Sequence, residues 1–164
     1  MAEIPLSQGK VAIVDFEDYA ELSKHKWWVT FHDGKWYAVR NREGKTLLMH
    51  RYIMKAQKGQ QIDHWDGDGL NNCRYNLRFS TQQQNVFNQK PTGKGTSKYK
   101  GVSKSKGADK WYACIKFNGK TINLGLYQNE ADAALAYDAA AKCLFGVFAR
   151  TNDPKERIGA LSQM

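Results

Sequence analysis

Residues 61–89 read QIDHWDGDGLNNCRYNLRFSTQQQNVFNQ. The middle of this stretch is loop chemistry, because Asp, Asn and Gly tolerate turn conformations. Ser80 or Thr81 stands where a helix over Gln82–Gln89 needs a cap. The pattern predicts strand, loop, strand, helix, with Asp63 on the first strand and Asn85 on the helix. Asp66 and Asp68 are turn formers. A calcium loop starting at Asp66 would place Glu at its twelfth position, where this chain has Leu77.

These residue types fit phosphodiester hydrolysis. That reaction needs a base to deprotonate water and a cation to neutralise the phosphate and the leaving oxygen. Histidine titrates near neutrality and suits the base. A carboxylate and an amide oxygen are hard donors, suited to Mg²⁺ or Mn²⁺. The stretch MHRYIM followed by IDHWDGDGLNNCRYNLRFSTQQQNVFN, residues 49–88, resembles the HNH nucleases, in particular their His-Asn-Asn branch among phage homing endonucleases. The resemblance implies a ββα-metal fold with one Mg²⁺ or Mn²⁺ per active site. It also implies Asp63 and Asn85 as metal ligands, His64 as general base and Asn76 as the residue orienting its imidazole. Asn85 in place of a third-position histidine argues against zinc. Arg51, beside a structural His50, is placed to reach a phosphate.

Residues 90–98, KPTGKGTSK, read as a linker with nothing to bury. Beyond it, Tyr99–Val102, Trp111–Phe117 and Thr121–Leu126 read as strands, with Asn118-Gly119 as a hairpin turn. Asn129 is placed to cap a helix from Glu130 to about Leu144, with Ala133, Ala136, Tyr137, Ala140 and Leu144 as its apolar stripe. Lysines, among them Lys100, Lys104, Lys110 and Lys116, alternate with aromatics in this part, as a cationic sheet face requires. YKGV, WYACIKF, the Leu124-Gly125 pair, EADAALAYDAAA and Asn152 are similar to the Apetala-type (ethylene-response-factor) DNA-binding domain of plant transcription factors. That resemblance implies that Lys100, Ser103, Lys104, Lys116, Thr121 and Asn123 face DNA and that Tyr137 touches a phosphate. Lysine lacks the bidentate fork of the arginines in the plant domains, so backbone holding outweighs base reading.

The N-terminal part reads as strand (Lys10–Val14), helix (Asp15–Trp28, striped by Phe16, Tyr19, Leu22 and Trp27) and hairpin (Trp28–Phe31 and Trp36–Asn41 around Asp33-Gly34). Lys45–His50 adds a strand and Arg51–Lys55 a helical turn. The expected organisation is α+β: 1–48 packing on the nuclease motif, 49–89 the motif itself, 90–98 linker, 99–154 a three-stranded antiparallel sheet plus one helix, and 155–164 a tail.

Composition agrees with this reading. The chain of 164 residues is 41% hydrophobic and 12% aromatic, which suffices for packed cores. A net charge of +9 points to a polyanionic partner. Residues 93–164 hold 12 Lys and Arg against 6 Asp and Glu, twice the net charge of residues 1–92. Three widely spaced cysteines make neither a disulfide framework nor a zinc knuckle. No apolar run spans a bilayer and no signal-peptide core is present, so a cytoplasmic setting is expected, in the host cell for a phage protein. Double-stranded DNA is the expected partner, without a membrane or an obligate protein. One site per chain makes one nick, so a double-strand break requires a dimer on DNA or a second event. The competing reading is a non-catalytic DNA-binding regulator that keeps the HNH scaffold.

Overall fold

A computed structural model describes residues 1–91, 95–107 and 109–153. The tail expected over 155–164 and the centre of the expected linker lie outside the described residues. The chain forms two compact units, Met1–Asn85 and Val86–Met164.

In the first unit, β1 (Ala2–Pro5) and β2 (Val11–Val14) pair antiparallel, Ala2 opposite Val14. β1 carries only Ile4 into the core, too little alternation to announce a strand. Helix α1 (Phe16–Leu22) is half the expected length. Of the expected stripe, Phe16 is 72% exposed and Tyr19 is also outside, while Leu22 is buried. Trp27 reaches the core from beyond the helix, its indole N–H donating to the Leu22 carbonyl at 2.9 Å.

Three strands follow as a meander: β3 (Trp28–His32), β4 (Lys35–Arg42) and β5 (Lys45–Leu48). Asp33 and Gly34 have φ of 48° and 75°, the paired positive values of the tight hairpin that their sequence predicts. Helix α2 (Met49–Ile53) leads to β6 (Gln61–His64), which pairs antiparallel with β7 (Leu77–Ser80). Helix α3 (Gln82–Phe87) starts on a capping box: the Gln84 N–H donates to Thr81 Oγ1 at 3.2 Å, and the Thr81 N–H donates to Gln84 Oε1 at 2.8 Å. The division between units falls inside this helix, after Asn85.

One apolar cluster joins the N-terminal elements to the nuclease-like stretch, uniting Ile4, Val14, Leu22, Trp27, Ala38, Met49, Ile53 and Leu77. Burying a side chain of this size contributes roughly 1.5–3 kcal/mol. Packing therefore shows no division at 48–49.

The second unit is a sheet ordered β10-β9-β8 with one helix against it: β8 (Val102–Lys104), β9 (Trp111–Phe117), β10 (Lys120–Tyr127) and α4 (Glu130–Phe145). Both units together make a mixed α+β protein of small antiparallel sheets. Asn118 and Gly119, with φ of 49° and 76°, form the expected turn.

Three details differ from expectation. The first strand begins at Val102 because Gly101, at φ 75°, breaks the extended run from Tyr99. Of the expected stripe of α4, Ala133 and Tyr137 are buried and Ala136, Ala140 and Leu144 are partly buried against the core, while Ala134, Asp138, Ala141 and Phe145 widen the buried face, the Phe145 ring stacking on Phe87 at 3.7 Å. Asn129 makes no side-chain bond to the helix backbone and donates to Asp132 Oδ2 at 3.1 Å instead. The C-terminal end of the expected linker is also part of the fold. Ser97 is buried and donates to Glu130 Oε1 at 2.7 Å.

Gly101 has no room for a side chain, since a Cβ there would lie 2.0 Å from the Tyr137 ring. Gly101→Ala should destabilise the second unit by about 3 kcal/mol or more, combining overpacking with positive-φ strain. Gly119→Ala, which meets nothing within 4 Å, should cost about 1 kcal/mol. Thermal unfolding followed by circular dichroism separates the two variants, and equal losses would refute the steric account.

Candidate active site

The site is built on the β6–β7 pair and the loop that joins it. Cross-strand register sets Asp63 opposite Arg78, Gln61 opposite Ser80 and His64 opposite Leu77. Successive residues of a strand point to opposite faces, so Gln61, Asp63, Arg78 and Ser80 share one face. Asn85 joins that face from α3, its Nδ2 donating to Gln61 Oε1 at 2.9 Å and its Oδ1 accepting from Ser80 Oγ at 2.6 Å. Asp63 is 7% exposed, and its Oδ2 accepts from Arg78 Nε at 2.9 Å and Nη2 at 2.6 Å. The structure thus brings Asp63 and Asn85 to one face.

His64, the next residue along β6, points to the other face and is 5% exposed. The His50 ring meets it edge to face, centroids 4.9 Å apart at 87°, and the Tyr37 ring lies 6.0 Å away. Burial pushes the His64 pKa below its ordinary 6.5. The Asn72 side chain and the charges of Asp66 and Asp63 oppose that shift, while Lys35 adds to it. The imidazole is therefore neutral at neutral pH and able to accept a proton. Asn72 is wholly buried, and its Oδ1 has no hydrogen-bond partner among the described residues.

Asn76 has different partners from those its place in the motif implies. Its Oδ1 accepts from the Asp66 N–H at 3.0 Å, and its Nδ2 donates to Asp66 Oδ1 at 3.0 Å and to the Asn71 carbonyl at 2.8 Å. It fastens the loop rather than the ring. Asp66 and Asp68 act as turn formers: the Asp68 N–H donates to Asp66 Oδ1 at 2.7 Å, and the Leu70 N–H to Asp68 Oδ1 at 2.9 Å.

Arg51 is also spent on structure. Its guanidinium donates to the carbonyls of Gln60, of Gln57 at 2.8 Å and of Ala56 at 3.4 Å, so it is not directed at a phosphate.

On the second unit, register places Ser103 beside Tyr112, Thr121 beside Lys116 and Asn123 beside Cys114, all on the sheet face away from the buried Ala113 and Ile115. Four expected contacts, Ser103, Lys116, Thr121 and Asn123, thereby share a face. Lys110 is exposed beside it. Lys104 donates to Asp109 at 2.5 Å and its ammonium sits 4.9 Å from the Trp111 ring centre. The other two expectations meet a physical obstacle. Lys100 Nζ donates to the Phe87 and Gln89 carbonyls at 2.5 and 2.8 Å. Tyr137 is 3% exposed, its hydroxyl pKa pushed up by burial, so no phosphate reaches it.

Among the described residues no three His, Cys, Asp or Glu side chains gather as a metal cluster, and no helix is long and apolar enough to cross a membrane. The oxygens of Asp63, Asn85 and Gln61 on one face match a hard divalent ion in donor type.

Comparison with known proteins bears on what this arrangement belongs to. No protein-family model matches the chain. An uncharacterized HNH endonuclease of Acanthamoeba polyphaga mimivirus is 34% identical over 152 residues, covering 88% of this chain and 76% of that protein. The chain belongs to the HNH endonuclease family. Within that assignment, Protein 3.8 of Escherichia phage T7 is 39% identical over 66 residues, 40% of this chain and 54% of that protein. An ethylene-responsive transcription factor of Arabidopsis thaliana is 26% identical over 158 residues, 82% of this chain and 37% of that protein. The chain thus spans less than two thirds of the phage and plant relatives.

Tyr37, His50, Asn72 and Arg78 are the site residues that the motif reading does not single out. For Arg78 a signal exists, since opposite charges in cross-strand register attract. Tyr37 and His50 come from other elements and leave no local trace.

His50 generates a pH prediction. Burial, then the neighbouring His64 and Arg51, lower its pKa from 6.5 to about 3. The unfolded chain therefore binds a proton that the folded chain refuses between those values, so stability is full above pH 6.5 and falls as pH drops toward 3. The urea midpoint should decline between pH 7 and pH 4.5, and His50→Gln should flatten that decline. A variant with the wild-type slope would remove His50 as the cause.

Proposed function

We propose that this chain is a metal-dependent DNA endonuclease of the homing type, its second unit serving as an Apetala-type holder of duplex DNA. The observation that carries the reading is the convergence of Asp63 and Asn85 on one face of the β6–β7 pair; His64, the next residue, leaves the strand toward the other face, where burial lowers its pKa.

Asp63 and Asn85 would hold one Mg²⁺ or Mn²⁺. Such an ion, when bound, supplies positive charge to the scissile phosphate and the leaving 3′ oxygen. His64 takes the proton from the attacking water, which requires the neutral imidazole that its burial favours. The His50 and Tyr37 rings restrict rotation of that imidazole. Asn76 keeps the loop in the shape that allows this. The products carry 5′ phosphate and 3′ hydroxyl ends. Ser103, Lys116, Thr121 and Asn123 offer DNA a polar sheet face with one lysine, which suits phosphate holding over base reading. One active site per chain nicks one strand, and two copies on DNA make a double-strand cut.

The similarity to the Arabidopsis transcription factor favours a second reading, a DNA-binding regulator without catalysis. It leaves the placement of Asp63, His64 and Asn85 without a purpose. A plasmid nicking assay separates them. The wild-type chain should relax supercoiled plasmid with Mg²⁺ or Mn²⁺ and stop with EDTA, and His64→Ala should be slower by about 10²–10⁴-fold, the span of general-base contributions. A wild-type chain that binds duplex DNA yet leaves the plasmid supercoiled would establish the regulator.

A further inference from the structure

The proposed metal ligand Asp63 already has a cation. Two bonds from Arg78, at 2.9 and 2.6 Å, end on the same carboxylate oxygen, and the side chains of the pair are 15% and 8% exposed. Arginine does not deprotonate at any accessible pH, so its charge leaves the carboxylate only if the guanidinium moves. A divalent ion at Asp63 and a guanidinium within hydrogen-bond distance of the same group repel strongly in a site so little exposed.

We propose that Arg78 is an internal competitor for the divalent ion at Asp63. Its guanidinium neutralises the carboxylate until the ion displaces it, and the released fork, still tethered to β7 on the same face, turns to DNA phosphate. The inference rests on the endonuclease reading, because it needs Asp63 to be a metal ligand. Three observations support it. The two residues are cross-strand partners, so the pairing is built into the strand register. The planar fork that suits a carboxylate suits a phosphate equally well. Gln61, Ser80 and Asn85 bond one another on the same face, which keeps the second proposed ligand in place when Arg78 swings away.

The test is calorimetric titration of Mn²⁺ into the full chain without DNA, for wild type, Arg78→Gln and Arg78→Lys, with circular dichroism to verify folding. Arg78→Gln should bind Mn²⁺ at least about tenfold more tightly, the size of a charge-assisted bond pair that no longer has to be broken. Arg78→Lys should fall between. The same Arg78→Gln protein should nick plasmid more slowly than wild type. Opposite effects on metal affinity and on nicking are not produced by a merely structural arginine, whose loss would weaken both. A folded Arg78→Gln that binds Mn²⁺ no more tightly than wild type overturns the proposal while leaving a nicking wild type in force. A wild type that neither binds Mn²⁺ nor nicks overturns the endonuclease reading as well.

Discussion

The loop between β6 and β7 anchors to the core through little more than Leu70 and Cys73. Its backbone and polar side chains fix the rest of its shape with hydrogen bonds, and the candidate site depends on that solution. The Ile13 N–H donates to the Leu70 carbonyl at 2.9 Å and the Asn72 N–H to the Ile13 carbonyl at 2.7 Å, so β2 grips the loop from outside. Asp66 and Asn76 grip it from inside. Arg74 adds a peripheral tie, donating to Asp18 at 2.9 and 2.6 Å and, through its backbone, to Asp15 at 2.7 Å. The N-terminal segment is thus a structural half of the nuclease-like unit, and its contribution reaches the buried Asn72.

Much of this was legible in the sequence. Asp33-Gly34 and Asn118-Gly119 announce hairpins because few other residues take two positive φ values in succession. Ser80 or Thr81 announces the start of α3, and the cap is Thr81, answered by Gln84, which the linear reading does not single out. The HNH-like stretch marks the place of the site, and Asp63 and Asn85 do share a face. What stayed illegible depends on tertiary partners. Lys100 and Arg51 look like surface cations in a linear reading, yet carbonyls capture both. Tyr137 looks like a polar tip on a helix, but the close approach of Gly101 encloses it. The stripe of α1 reads as helical because Phe16, Tyr19 and Leu22 fall at three-residue steps, whereas Trp27, five residues beyond Leu22, is off that face and reaches the core from outside the helix.

The two histidines show how one packing feature shapes both stability and chemistry. Edge-to-face contact and burial keep His50 and His64 uncharged. A neutral His64 is what the proposed proton acceptance needs. The same burial makes the fold sensitive to acid, because protonating either ring places a charge in a poorly solvated spot.

Asp138 and Asn152 close the second unit upon itself. The buried Asp138 accepts from the Asn152 N–H at 2.8 and 2.9 Å and from its Nδ2 at 2.9 Å, while Asn152 Oδ1 accepts from the Lys100 N–H at 2.7 Å. Lys100 lies near the start of the sheet and Asn152 beyond the helix, so the path into the module and the path out of it run side by side. The hydrogen bonds between Lys100 and Asn152 hold those two paths together. A module with adjacent ends can be spliced into a foreign chain at one surface point without stretching its own fold or the host's.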